Sequence, residues 1–344
     1  MSTDKLVPND PRVKYESTQV NGKTYSYVLG EPTTGGESKG LVFLVHGFPD
    51  LSFGWRYQVP YLTSRGYRVV VPDQLGYGGT DAPAAAEEYT LKKLSDDVAA
   101  LARKLVGDDG QIILGGHDWG GALVWRVALW HPDLLRGVFS VCTPFSASNP
   151  QFFALEDIIA AGKLTNFTYQ LHFKGPEVEE KIQGEDKVKQ FLNCMFGGHG
   201  ANGERGFDTA KGVLFDNLDK LSKTRLLSEE ELNHYVERYM AHPAPQLRGP
   251  LNWYRTQRLN WEDEKELAGR PGGVKIETPA LFIAASGDEA LPPSMSAGMD
   301  KYFGKLSRDE VNASHWALTQ APGEVNKSIG AWLDELDGGA KASL

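Results

Sequence analysis

The sequence contains almost no cysteine, with only Cys142 and Cys194 among 344 residues. Two cysteines cannot build a disulfide framework, and this favours a reducing compartment. Long hydrophobic runs are also missing, since stretches such as 41–45 are far shorter than the roughly 20 residues that span a bilayer. The N-terminal residues lack the apolar segment of a secretory signal. We therefore expect a cytoplasmic chain with no membrane span.

Basic residues are in the minority. The 36 Lys and Arg face 45 Asp and Glu, which gives a net charge of −9 and no Lys/Arg-rich run that could bind nucleic acid. His, Cys and carboxylate residues show no paired spacing typical of a metal site. The glycine-rich segment 76–79 lacks the G-x-G-x-x-G continuation of a dinucleotide site. We expect no nucleic acid partner, no metal and no cofactor.

The sequence has instead 38 glycines, many of them between strand-like and helix-like segments. Continuous β-branched runs that alternate with amphipathic stretches indicate βαβ units and a mostly parallel sheet flanked by helices, an α/β fold. Helices are predicted at 90–106, 119–130 and 324–336. Strands are predicted at 41–47, 67–73, 111–116, 137–143, 279–286 and 306–314.

The alternation stops after Pro144, and the pattern is largely helical until about residue 265. An α/β sheet that is interrupted and then resumed indicates a core domain with an insertion. We predict a core formed by 1–144 and 266–344, and an inserted helical cap at 145–265, here called the cap segment. The tail 337–344 is predicted to be disordered.

The most informative motif is Gly116-His117-Asp118-Trp119-Gly120-Gly121, between a predicted strand and a predicted helix. It matches the G-x-S-x-G nucleophile elbow, with aspartate in place of serine. Asp118 could instead be an ordinary helix N-cap, a common role of Asp. The preceding strand, the following helix and the flanking glycines favour the elbow, because a sharp turn needs neighbours without Cβ atoms.

An aspartate nucleophile changes which reaction is chemically sensible. Serine that attacks a saturated carbon would form an ether, which water does not cleave. A carboxylate that attacks a saturated carbon forms an ester, and water can hydrolyse it at the aspartate's own carbonyl. Asp118 therefore indicates displacement at a saturated carbon followed by ester hydrolysis.

The second step needs a base and a group that orients it. In folds with this elbow the chain order is nucleophile, acid, histidine. His315 follows the last predicted strand and is the base that we expect, and Asp288 follows the strand at 279–286 and is the acid that we expect. Glu289 is the neighbouring rival for the acid. The backbone N–H groups of Phe48 and Trp119 are the predicted oxyanion hole.

With these residues in place, the sequence closely resembles the hydrolase domain of the α/β-hydrolase-fold epoxide hydrolases of the soluble type. The resemblance spans roughly 40–335 and implies the α/β-hydrolase fold and hydrolysis of a small-molecule epoxide to a vicinal diol. The sequence departs from the two-domain members of the family, since it shows no N-terminal partner domain, and we expect no second activity from such a domain. The resemblance is carried by these residues of the core: His46-Gly47-Phe48-Pro49, Phe53–Pro60, the elbow, Asp288 and Ser314-His315-Trp316. Within the cap segment it is carried by Phe167–Leu171 and Pro250–Arg255.

The resemblance also implies that Tyr169 and Tyr254 of the cap segment act together. Two phenol O–H groups can hydrogen-bond an epoxide oxygen and protonate it as the C–O bond breaks. Two further cap tyrosines, Tyr235 and Tyr239, lie four residues apart among charged residues and are interpreted as an ordinary helix face.

Two alternatives remain open. A haloalkane or haloacid dehalogenase would use the same Asp nucleophile, although a halide needs no proton and is better served by N–H donors. A non-catalytic ligand receptor on the same fold would bind without turnover, and it would have no need for the nucleophile, base, acid and both phenols together.

Overall fold

A computed structural model of the chain describes residues 3–270 and 273–341. Ten strands lie in these ranges: β1 (Val13–Val20), β2 (Lys23–Gly30), β3 (Leu41–Val45), β4 (Arg68–Pro72), β5 (Ile112–His117), β6 (Leu135–Val141), β7 (Phe207–Asp208), β8 (Gly212–Val213), β9 (Ala280–Ala285) and β10 (Leu306–Val311). Eight of them form one sheet in the order β1-β2-β4-β3-β5-β6-β9-β10. The six strands from β4 to β10 in this order are parallel, whereas β2 pairs antiparallel with β1 and β4. The predicted mostly parallel α/β sheet is confirmed.

The described residues also contain twelve α-helices, together with short 3₁₀ turns. They are α1 (Gln58–Ser64), α2 (Leu91–Val106), α3 (Trp119–Trp130), α4 (Leu155–Ala160), α5 (Thr168–Lys174), α6 (Glu177–Lys181), α7 (Glu185–Met195), α8 (Glu229–Met240), α9 (Arg248–Asn252), α10 (Gln257–Ala268), α11 (Ala317–Gln320) and α12 (Pro322–Lys341). Across the residues placed by the structure, none of these helices combines the length and the apolar character needed to cross a bilayer.

Both faces of the sheet are covered, because successive side chains of a strand point to opposite sides. On β3, Phe43 and Val45 join the core that contains α2 and α3, whereas Val42 and Leu44 join the core beneath α1 and α12. Helix α2 packs on the sheet through one apolar face. Its Leu91, Leu94, Val98 and Leu101 are buried on one face, and Thr90 caps its first turn.

The division into core and cap segment stays a prediction; helix α10, which ends at Ala268, crosses its boundary at 265 and packs against the core through the Arg126–Glu264 ion pair. Two other predictions about the second half of the chain need correction. The cap segment also contains the short hairpin β7–β8, which two-residue strands are too short to signal. The predicted disordered tail is wrong for 337–341, which complete α12, and 342–344 lie outside the described residues.

Helix α8 of the cap segment is joined to the core by a buried ion pair. The Arg56 guanidinium donates to Glu231 at 3.0 Å, and their side chains are 1% and 4% exposed. Glu231 also accepts from Lys5 at 2.7 Å and completes the capping box of α8 with Ser228. Because both charges are desolvated, loss of one leaves the other poorly compensated.

The Arg56→Met substitution is therefore expected to lower the free energy of unfolding by about 3 kcal/mol, since Glu231 would stay buried with Lys5 alone. The matched control is Arg258→Met, which removes an exposed pair with Glu262 and should cost under ~0.5 kcal/mol. Urea denaturation of the three proteins measures both changes. Equal losses in the two variants would contradict a structural role of the buried pair.

Candidate active site

Asp118 lies on a strained turn between β5 and α3. Its backbone has φ 53° and ψ −124°, a region that residues with a side chain rarely occupy. The turn fits only because its neighbours are small, since a Cβ atom on Gly120 would overlap the carbonyl oxygen of Val45. The turn aims the Asp118 carboxylate out of the sheet at the carboxyl ends of the parallel strands, where such folds place their reactive groups.

The loop after β3 passes directly beside this carboxylate. The Phe48 N–H donates to Asp118 Oδ1 at 2.7 Å. A Cβ atom on Gly47 would overlap both that oxygen and the Trp119 backbone nitrogen. Trp119 is the first residue of α3, so its N–H lacks a partner within the helix. Of the two backbone donors predicted as an oxyanion hole, the Phe48 N–H thus contacts the Asp118 carboxylate, and the Trp119 N–H lies near the same glycine, Gly47.

His315 lies between two carboxylates. Its Nδ1 is 2.8 Å from Asp288 Oδ2, and its Nε2 is 3.4 Å from Asp118 Oδ2. The other oxygen of Asp288 accepts from the backbone N–H groups of Ala290 and Leu291 at 2.9 Å. The structure therefore brings together the three residues that the sequence predicts as nucleophile, base and acid.

Glu289, the rival for the acid, points elsewhere. It is 63% exposed and forms an ion pair with Arg205 of the cap segment at 2.6 Å. The Asp288 side chain, by contrast, is fully buried against His315. Of the two neighbouring carboxylates, only Asp288 orients the imidazole.

The electrostatics of the trio follow from this geometry. Burial would lower the pKa of His315, but the charge of Asp288 and the hydrogen bonds to Asp118 and Asp288 outweigh it and raise that pKa well above its ordinary value. Burial would raise the pKa of Asp288, yet the charge of His315 and two backbone donors lower it to about 2. The pKa of Asp118 is also lowered, because His315 outweighs burial. The two flanking carboxylates therefore favour the protonated form of the His315 imidazole.

Tyr169 and Tyr254 meet across the cap segment, as the resemblance implies. Their ring centroids are 6.3 Å apart, and the Tyr254 ring packs edge-on against Phe48 and Trp119 at 5.2 Å. Tyr169 is on α5, and Tyr254 is on the 3₁₀ turn after α9. Burial raises the pKa of both phenols, so each hydroxyl stays protonated and can donate.

These groups line one cavity of about 810 Å³. Asp118 and His315 line the floor of this cavity on the side of the sheet, and both tyrosines line it from the cap segment. Apolar and aromatic residues form part of the remaining wall, and polar residues form the rest: Met195, Phe196, Phe207, Leu226 and Trp316, then His199, Arg205, Lys223, Arg225 and Glu289. A carboxylate on the floor of a cavity, with phenol O–H donors on the opposite wall, is an arrangement that can open a polar ring in an apolar substrate.

Comparison with known proteins now identifies the family. The family model described as the alpha/beta hydrolase fold matches residues 40–322. A curated relative, Epoxide hydrolase srdG of Neurospora crassa, is 41% identical over 346 residues, which cover 98% of this chain and all of the relative. The chain belongs to the α/β-hydrolase-fold epoxide hydrolases.

Further relatives agree with this assignment, so the chain is a hydrolase of this family. Bifunctional epoxide hydrolase 2 of Sus scrofa is 37% identical over 299 residues, and these cover 85% of the chain but 51% of the pig protein. The chain thus matches about half the length of that relative. The crystal structure of Epoxide Hydrolase A from Mycobacterium thermoresistibile has a TM-score of 0.76 and 30% identity, and covers 94% of this chain and 98% of its own.

In this epoxide hydrolase, the interpretation of Tyr235 and Tyr239 as an ordinary helix face is wrong. Both are buried, and their hydroxyls donate to Asp50 Oδ1 at 2.5 Å and to the Pro49 carbonyl at 2.9 Å. Helix α8 is therefore fastened to the loop that carries the Phe48 donor. The spacing of four residues, which places two tyrosines on one helix face, could have indicated this contact.

A second group that sequence spacing missed surrounds His315. Potential ligand atoms of His117, Cys142 and His315 lie within 4.8 Å of one another. The three residues come from β5, from the end of β6 and from the loop after β10, so no local spacing connects them. Both ring nitrogens of His315 already face carboxylates, and His117 Nε2 already bonds the His315 carbonyl. The absence of a metal stays a prediction.

Proposed function

We propose that this epoxide hydrolase converts an epoxide to a vicinal diol through a covalent ester on Asp118. The observation that carries the proposal is the convergence of the carboxylate, the Phe48 N–H, the Asp288–His315 pair and two facing phenols on one cavity. Each of these groups has a separate task in a two-step reaction, and none is needed for binding alone.

In the first step, an Asp118 carboxylate oxygen attacks a saturated epoxide carbon. The C–O bond of the ring breaks, and Tyr169 or Tyr254 protonates the departing oxygen, which stays attached as a hydroxyl. The resulting phenolate regains a proton from the His315 imidazolium through the cavity. The products of this step are a hydroxyalkyl ester of Asp118, two neutral phenols and a neutral imidazole.

Formation of the ester prepares the base for the second step. The ester carries no charge, so one of the two carboxylates that raise the pKa of His315 is lost. Neutral His315, oriented by Asp288, then takes a proton from water as the water oxygen attacks the ester carbonyl carbon. The oxyanion is held by the N–H groups of Phe48 and Trp119. As the intermediate collapses, the bond between the carbonyl carbon and the diol oxygen breaks and the imidazolium protonates that oxygen. The carboxylic acid formed on Asp118 then returns a proton to His315, so the diol leaves and the carboxylate and the imidazolium are restored.

We also propose that residues 1–144 and 266–344 form the catalytic core and that the cap segment supplies the proton donors. Both tyrosines come from the cap segment, and nucleophile, base and acid come from loops of the sheet. A cavity of about 810 Å³ lies within the ~300–1,000 Å³ typical of sites for ligands of drug size. We therefore propose a lipid epoxide with an extended apolar body as the substrate class.

The Tyr169→Phe and Tyr254→Phe substitutions test the role of the phenols. Each single variant retains one donor and should slow ester formation, and the double variant should slow it about 10²- to 10⁴-fold because no acid remains. The assay follows diol formation from styrene oxide and from a long-chain fatty-acid epoxide. Tyr302→Phe is the control, since Tyr302 packs against Phe145 away from the cavity lining.

Two results would contradict this function. The first is a double variant that forms diol as fast as the parent protein. The second is halide release from haloalkanes that persists in the double variant while epoxides are not converted by the parent, which would favour a dehalogenase.

A further inference from the structure

Two side-chain donors hold the backbone carbonyl of His315. His117, the last residue of β5, has its Nε2 2.8 Å from this oxygen. Cys142, directly after β6, has its Sγ 3.5 Å from the same oxygen. A carbonyl oxygen only accepts, so the imidazole N–H and the thiol S–H are the donors, and Cys142 also lies close to the Asp288 carboxylate, a second acceptor for its S–H. Both side chains are 1% exposed, so the contacts are shielded from water.

The proposed reaction uses neither His117 nor Cys142, yet each residue is in an energetically unfavourable state. Burial and the nearby His315 lower the pKa of His117. Its Nδ1 is buried and has no hydrogen-bond partner among residues 3–270 and 273–341. Cys142 adopts φ 68°, a left-handed conformation that is strained for a residue with a side chain. A buried unpaired nitrogen and a strained backbone are both unfavourable, and strain of this kind is typically concentrated at functional sites.

The carbonyl that they hold belongs to a residue whose position matters. His315 lies in the loop between β10 and α11, and its ring must reach Asp288 on one side and Asp118 on the other. The Asp288 contact is 2.8 Å, and the Asp118 contact is already long at 3.4 Å. A small movement of the loop backbone would therefore separate the base from the ester that it must serve.

We infer that His117 and Cys142 are positioning residues that form a two-donor cradle for the His315 backbone and thereby place the base for ester hydrolysis. This inference rests on the proposed function. The cradle acts mainly on the second step. In the first step the bonds are made and broken by the Asp118 carboxylate and the cap tyrosines, and His315 only returns a proton to the phenolate afterwards, whereas water activation needs the ring of His315 in place.

The test compares substitutions that keep or remove each donor. His117→Gln keeps an N–H donor near the place of Nε2, and His117→Leu removes it. Cys142→Ser keeps a donor, and Cys142→Ala removes it. Rapid quenching after excess enzyme is mixed with an epoxide, followed by mass spectrometry of the intact protein, measures formation and decay of the Asp118 ester separately. Circular dichroism and thermal unfolding report on the fold.

The expected result for His117→Leu is ester decay about 10- to 100-fold slower, with ester formation unchanged, because small misplacement of a catalytic group costs rate of this order. His117→Gln should recover most of the decay rate. Cys142→Ala should slow decay by less, since a thiol is the weaker donor, and Cys142→Ser should match the parent protein.

Three results would overturn the cradle: unchanged ester decay in His117→Leu, equal slowing of both steps, or a His117→Gln variant as slow as His117→Leu. If His117→Leu does not fold, equal decay rates of Cys142→Ala and Cys142→Ser contradict the cradle. If the parent protein itself forms no ester, the covalent mechanism fails, and the cradle for ester hydrolysis fails with it. If the parent protein forms the ester and the variants do not differ from it in the rate of ester decay, the cradle is contradicted and the covalent mechanism is not.

Discussion

His315→Gln is expected to stop the reaction after its first step. Asp118 and both tyrosines remain, so one equivalent of ester should form on each protein molecule, with water in place of the imidazolium returning a proton to the phenolate. Without the imidazole no group takes the proton from water, and turnover should fall by a factor on the order of 10⁴ or more. Mass spectrometry of the intact protein should show the parent mass increased by the mass of one epoxide molecule, stable over the time in which the parent protein completes many turnovers.

The control for this variant is His199→Gln, another histidine of the same cavity wall, whose Nδ1 hydrogen-bonds the Gly197 carbonyl and no catalytic carboxylate among the described residues. It should turn over like the parent protein. Steady diol formation by His315→Gln, or its inactivity without any increase in mass, would show that His315 does not serve as the base of ester hydrolysis.

The Asp118→Ala substitution is expected to abolish both steps. No other carboxylate among the described residues lies on the strained turn beside the Phe48 N–H, so no ester can form there. Diol formation should fall by a factor on the order of 10⁴ or more, to the rate of the reaction without enzyme, and no increase in protein mass should follow addition of epoxide.

Glu289→Ala is the matched control, because it removes another carboxylate from the same cavity wall while leaving His315 and Asp288 in contact. It should keep most of the activity. An Asp118→Ala protein that still forms diol well above the background rate would mean that water attacks the epoxide directly, with His315 as its base.

Much of the fold could be predicted because its signals are local. The strands β3, β4, β5, β6 and β9 are continuous apolar runs, as expected for strands buried on both faces, and α2 and α3 lie where the sequence pattern predicts them. The hairpin β1–β2 was not predicted, although its Asn21-Gly22 turn carries the signal of a tight hairpin and both residues have positive φ. Strand β1 is mostly exposed, so it lacks the apolar run by which the other strands were recognised.

The residues of the candidate site also differ in whether a local sequence signal predicts them. Asp118 was found from its own turn, and His315 and Asp288 were found because parallel strands bring the loops at their carboxyl ends to one edge. The convergence of Tyr169 and Tyr254 came from the family resemblance, since 85 residues separate them and no spacing predicts contact. The His117–Cys142–His315 contacts depend on how three separate segments pack, and sequence patterns do not contain that information.

The measurement that tests the covalent mechanism most directly is a single turnover in ¹⁸O-labelled water, with enzyme in excess over epoxide. Water attacks the ester at the Asp118 carbonyl carbon, so the label should enter the Asp118 carboxylate, and the diol of this first turnover should be unlabelled. Peptide mass spectrometry locates the label, and the diol is analysed separately. Label found in the first diol and absent from Asp118 would contradict the ester and establish direct attack of water on the epoxide.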